Sequence, residues 1–187
     1  MTVRMFALAI VVFTVVACED LTRSIEATTD VSEDTLTVFP LRGSPLSAPT
    51  AFDLFSLRPR RVGDAATAYD VAVDTAGGAA ILHPAHLVES GLPKTAILET
   101  TTPFESITEA PTSGYQDTAA VTIGIGETVI VRARNVCAGN FTGRDIFYAK
   151  LQLIEFGSSD GFTTARFRIR TNPNCGFRSF ADGLPEF

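Results

Sequence analysis

The last third of the chain alternates apolar and polar residues with a period of two, and this restricts the chain to antiparallel sheet. Thr128-Val129-Ile130-Val131-Arg132-Ala133-Arg134 reads as one strand, residues 146–156 as a second and residues 162–170 as a third. In the third, Ala165, Phe167 and Ile169 fall on one face and Arg166, Arg168 and Arg170 on the other. That phase predicts apolar side chains turned inward and arginines turned out. Residues 157–161, Gly-Ser-Ser-Asp-Gly, read as the turn between the last two strands. Connections this short join antiparallel neighbours, because parallel strands need a crossover of a dozen or more residues.

The same signal recurs earlier, in shorter pieces. Phe52-Asp53-Leu54-Phe55-Ser56-Leu57 reads as a strand ended by Arg58-Pro59-Arg60. Tyr69, Val71 and Val73 share one face of a further strand, which Gly77-Gly78 turns back into Ala79-Ala80-Ile81-Leu82. Residues 83–118 hold no long period and predict loops laid over the sheet, with one short element near Phe104 to Ile107. No helical stripe appears beyond the first residues. The expected fold class is therefore all-β, mainly antiparallel, with few short helices. A hydrophobic fraction of 45% is sufficient for one core.

The N-terminus is of another kind. Arg4 supplies a positive start, and residues 6–17 are apolar apart from Thr14. Such a run is too short for a bilayer core, which needs about 20 residues, but it suits the apolar region of a signal peptide. Val15-Val16-Ala17-Cys18 matches the bacterial lipobox, in which a small residue precedes the cysteine that accepts the acyl chain. The alternative is an ordinary secretory signal with an incidental cysteine. The lipobox reading divides the chain into a signal peptide at 1–17, the lipidated Cys18 with a flexible tether at 18–50, and a β domain at 51–187. It places the protein in the cell envelope, lying on a membrane by its lipid. The tether is rich in Thr, Ser, Asp and Pro, with Leu36-Thr37-Val38-Phe39 as a candidate short strand.

Charge and cysteines narrow the partners. The net charge of −6, with no basic cluster, argues against nucleic acid. Cys137 and Cys175 both lie beside turn-like sequence, and export to an oxidising compartment predicts a disulfide between them. Free thiols or a metal site are the alternatives, and the metal site lacks a nearby histidine.

Little in the chain signals catalysis. It has no P-loop, no dinucleotide glycine fingerprint, no H-E-x-x-H and no G-x-S-x-G elbow, so an enzyme is not expected. His83 and His86, three residues apart, either grip a metal ion from one side or are polar residues of a surface loop. Arg58, Arg60 and Arg61 either meet an anion or form a solvated turn. Tyr69, Tyr115 and Tyr148 fill a core or sheet face, or line a pocket.

Four stretches, in order, resemble the HmuY-like lipoproteins, a β-rich bacterial surface family that includes haem-binding members. They are 52–57 with Val62-Gly63; Tyr69-Asp70-Val71-Ala72-Val73; Phe104 to Ile107 with Gly114-Tyr115-Gln116-Asp117; and the closing strands of 129–170. The resemblance implies a curved antiparallel fold with a cleft for a flat ligand, haem or another hydrophobic cofactor, with His83, His86, Tyr115 and Tyr148 as the candidate ligand-binding residues. The chain departs from the family in having Asp74 where some members carry a ligand, and no methionine after residue 5. Axial ligands approach haem from opposite faces, which two histidines three apart do not readily do. The alternative expectation is a structural or protein-interaction surface lipoprotein that binds no haem.

Overall fold

The computed structural model describes residues 27–64, 68–134, 137 and 145–184. Residues 1–17, expected as a signal peptide, and Cys18 lie outside the described residues. Ten strands form two five-stranded antiparallel sheets. In the first sheet, β1 (Ser32–Val38) pairs with β10 (Phe162–Asn172), then follow β9 (Phe147–Ser159), β8 (Thr128–Ala133) and β6 (Ala96–Thr100). In the second, the order is β3 (Arg58–Arg60), β2 (Ala51–Asp53), β4 (Val71–Ala76), β5 (Ala79–Pro84) and β7 (Val121–Ile123). The all-β expectation holds: among the described residues the helical elements are α1 (Ala85–Val88) and one 3-10 turn at Phe104–Ser106.

The period of two explains how the sheets stack. Val129, Val131, Leu151, Leu153, Phe167 and Ile169 of the first sheet share one core with Phe52, Val71, Val73, Ala80 and Leu82 of the second. Phe52 and Phe167 meet edge to face across it, with ring centroids 5.2 Å apart. Burying each of these large side chains contributes roughly 1.5–3 kcal/mol. Arg166, Arg168 and Arg170 stay out of this core, as the alternation predicts.

Several elements differ from the sequence expectation, each for a local reason. The strand expected at 52–57 stops at Asp53. The Asp53 carboxylate accepts hydrogen bonds from the Ser56 backbone N–H at 3.1 Å and the Ser56 hydroxyl at 2.5 Å, and Leu57 turns at φ 50°. The chain then reverses, and Arg58–Arg60 pairs with β2 as β3 instead of remaining a loop. The turn expected at 157–161 shrinks to Asp160-Gly161, both at positive φ (51° and 80°), which is the geometry of a two-residue hairpin. Within the long loop segment, Ala96–Thr100 is a strand, held by β8 on one side and by paired backbone hydrogen bonds between Ile97 and Gln116 on the other.

The first sheet also takes in part of the segment that composition marks as tether. β1 begins at Ser32, with Leu36 and Val38 in the core and Glu33 outside. Glu33 meets Arg168 at 2.5 Å and Arg170 at 3.1 Å. Ahead of β1, Asn174 grips the chain by accepting from the Thr28 and Thr29 N–H groups and donating to the Thr29 carbonyl. Next to that grip, Cys137 and Cys175 form the expected disulfide, with Cα atoms 5.8 Å apart.

Candidate functional site

The two histidines lie in different surroundings. His83 sits on β5 opposite Ala72, half-buried, and its electrostatic neighbours are Asp74 and Arg42. Burial holds its imidazole below the ordinary histidine range. Among the described residues, no hydrogen bond engages its ring. Asp74, nearly inaccessible, is answered by the Arg42 guanidinium at 2.5 Å. His86 lies on α1, a turn that follows directly on β5. The Thr95 N–H donates to its Nδ1 at 3.3 Å, so Nδ1 carries the lone pair. Nε2 then bears the hydrogen and donates to the Asp117 carbonyl at 2.9 Å. Both ring nitrogens of His86 are therefore occupied in stapling α1 to the start of β6 and to the 115–117 segment. A metal or haem iron could bind there only by breaking one of these bonds.

The two tyrosines come together on the outer face of the first sheet. Tyr148 projects from β9, and Tyr115 folds over it with ring centroids 6.2 Å apart. Ile107, Ala110, Ile130 and Phe180 complete this cluster, with Leu98 and Ile146 at its margin. Burial raises the pKa of both phenols, and that of Tyr115 well above the ordinary tyrosine value. The Tyr115 hydroxyl is fully enclosed and, among the described residues, has no hydrogen-bond partner. The Arg132 guanidinium lies 4.9 Å from the Tyr115 ring centre, within range of a cation–π contact.

Sequence reasoning missed two charged groups that the fold buries. Lys150, next but one along β9 from Tyr148, is 3% exposed. Its ammonium donates to the Phe104 carbonyl at 2.6 Å and the Ile107 carbonyl at 2.9 Å, and lies 4.2 Å from the Phe104 ring centre. Burial, followed by the nearby Arg170, lowers its pKa. Asp70, at the start of β4, is wholly buried. One of its oxygens accepts the Leu54 N–H at 2.8 Å and the other has no partner among the described residues. Burial, with Asp53 nearby, pushes its pKa up to about 7. Phase gave no signal for either: Lys150 falls on the same side of β9 as Tyr148 and Gln152, where a polar residue is expected, and Asp70 directly precedes β4.

Surface hollows avoid the predicted ligand residues. One of about 440 Å³ is lined by Thr108, Glu109, Phe177, Arg178 and Ser179, and contains the Arg178–Glu109 ion pair. Another, of about 340 Å³, opens between β6 and β7 beside Glu99, Thr122 and Glu127. Neither is lined by His83, His86, Tyr115 or Tyr148. Among the described residues, no group of three or more His, Cys, Asp or Glu could hold a metal ion, and no helix is long and apolar enough to cross a membrane. Compared with protein-family models, curated proteins and solved structures, the chain matches none.

Proposed function

We propose that this chain is a bacterial cell-envelope lipoprotein, anchored through Cys18, whose β-sandwich is a non-enzymatic interaction domain for a surface protein partner and does not take haem. The lipobox Val15-Val16-Ala17-Cys18 supports the anchor. The grip of Asn174 on Thr28 and Thr29 supports a fixed exit for the tether at one end of the sandwich.

The observation that carries the reading against haem is the employment of His86. Its two ring nitrogens are bonded to the backbone, and its distribution of donor and acceptor is that of a structural staple. Tyr115 and Tyr148 are equally committed, packed against each other under the 107–110 and Phe180 segments. What remains of the HmuY-like reading rests on His83, a neutral-leaning imidazole with no hydrogen-bond partner among the described residues. It supports a second reading, in which the HmuY-like resemblance extends to a haem or other flat ligand held by His83 alone.

Metabolic labelling with a fatty-acid analogue tests the anchor. Label should enter the wild-type protein and be lost in Cys18→Ala, with the variant released from the membrane fraction. Unlabelled wild-type protein in that fraction would contradict the reading.

A further inference from the structure

A notch on the outer face of the first sheet is lined by Lys94, Ala96, Asp117, Arg132 and Arg134. Its volume is about 110 Å³. A water molecule takes about 30 Å³ of liquid volume, so the space suits one small anionic group and little more. The register explains why the notch exists. Arg132 of β8 pairs with Ala96 of β6 on one side and with Tyr148 of β9 on the other. The small Ala96 side chain leaves a gap beside the Arg132 guanidinium.

The charge at this gap is unusual for an acidic chain. Three cations border it, against one carboxylate, Asp117. Lys94 pairs with Asp117 at 3.3 Å, and Arg134 pairs outward with Asp145 at 3.3 Å. Arg132 differs. Arg166, Arg168, Arg170 and Arg178 each hold a carboxylate. Among the described residues, no carboxylate pairs with the guanidinium of Arg132, which lies against the Tyr115 ring near Tyr148. A half-buried guanidinium stacked on an aromatic ring has its orientation set while its N–H donors remain available, which is the arrangement that oxyanions are bound by.

We infer that this notch binds a small oxyanion, and that a singly protonated phosphate suits it best. Arg132 donates to two phosphate oxygens, Lys94 and Arg134 supply the flanking positive charge, and the Asp117 carboxylate accepts a hydrogen bond from the phosphate hydroxyl. Sulfate carries no such proton at neutral pH and meets Asp117 as a like charge. The phosphate can be free, or carried on a lipid headgroup. The inference does not depend on the lipid anchor or on the interaction reading above.

The test is a titration of the mature protein in detergent micelles with inorganic phosphate, against sodium chloride of equal ionic strength, followed by the arginine side-chain Nε–H resonances. A parallel titration uses micelles doped with phosphatidic acid. A saturable shift of one arginine resonance is expected, weakened at least tenfold in Arg132→Gln and in Lys94→Gln, with sulfate binding several-fold more weakly than phosphate. Saturation by inorganic phosphate assigns a soluble phosphate, and saturation only in doped micelles assigns a headgroup. Wild-type protein that responds to neither beyond the chloride control overturns the inference. So does a response that both variants retain in full while their unfolding midpoints match wild type.

Discussion

The outer faces of the two sheets handle buried charge in opposite ways. On the first sheet the charges are cations, and loops are folded over them. The Phe104–Ser106 turn, the 107–117 segment and the tail through Phe180 close over Lys150, Arg168 and Arg170, whose partners are carbonyls and the carboxylates of Glu33, Glu105 and Asp182. On the second sheet the charges are carboxylates lying within the strands or at their starts. Asp53 is answered by Arg60 at 2.7 Å and Asp74 by Arg42 at 2.5 Å. Asp70 is answered by one backbone N–H. The lesson is that hydrogen bonds to backbone carbonyls can hold a buried ammonium, whereas a carboxylate given one donor is better kept protonated.

Four variants test this contrast. The largest effect belongs to the disulfide, which ties the chain after β8 to the turn after β10 and so reinforces the first sheet alone. The partners are 38 residues apart, and the chain-entropy relation gives about 4 kcal/mol for such a loop. Urea unfolding of the double variant Cys137→Ala, Cys175→Ala should show a loss of that size, with hydrogen exchange rising first at the first sheet.

Asp70 comes next. Its folded-state pKa, about 7, lies above its ordinary value of 3.8, so the folded protein holds a proton that the unfolded chain releases. Stability must then fall as pH rises from about 4 to about 7, and the penalty is complete above that. Asp70→Asn should flatten this slope and stabilise the protein at pH 8, by about 4 kcal/mol at most. Chemical unfolding at several pH values checks both. An unchanged slope would mean that the carboxylate is solvated and the contrast between the sheets fails there.

Lys150→Met keeps the aliphatic length and leaves the Phe104 and Ile107 carbonyls without their donor. A destabilisation of about 2 kcal/mol is expected, because buried acceptors are left unpaired. Proteolysis within 103–110 should accelerate with it. The smallest effect is expected from Tyr115→Phe. Its hydroxyl is buried without a partner, so removal should leave stability within about 1 kcal/mol of wild type and on the stabilised side. A larger loss would reveal a partner for that hydroxyl.

The same contrast explains what the sequence could and could not disclose. The three long strands were legible because Ala165, Phe167 and Ile169 alternate with arginines over a full strand length. The β4–β5 hairpin was legible from Gly77-Gly78 between apolar alternations. β3 was not, because Pro59 between two arginines reads as a loop, and only the Asp53 hydrogen bonds to Ser56 and Arg60 make it a strand. β6 and β7 were hidden because each is an edge strand, too short for alternation to register. β1 was half-hidden: Leu36 and Val38 were visible, but the pairing of Glu33 with arginines 135 and 137 residues away could not be. For the candidate site, residue types were readable and their surroundings were not. The employment of His86 depends on Thr95 and Asp117, and that of Arg132 on Tyr115 and the small Ala96, all brought in from other strands and loops.

The most direct test of the account is a haemin titration of the protein in detergent micelles, followed at the Soret band, beside His83→Ala and His86→Ala variants. With His86 employed as a staple and the tyrosines packed together, no saturable Soret shift is expected in any of the three, and His86→Ala should be the less stable variant. A saturable shift in the wild type that either substitution abolishes would contradict the account and return the chain to the haem-binding reading.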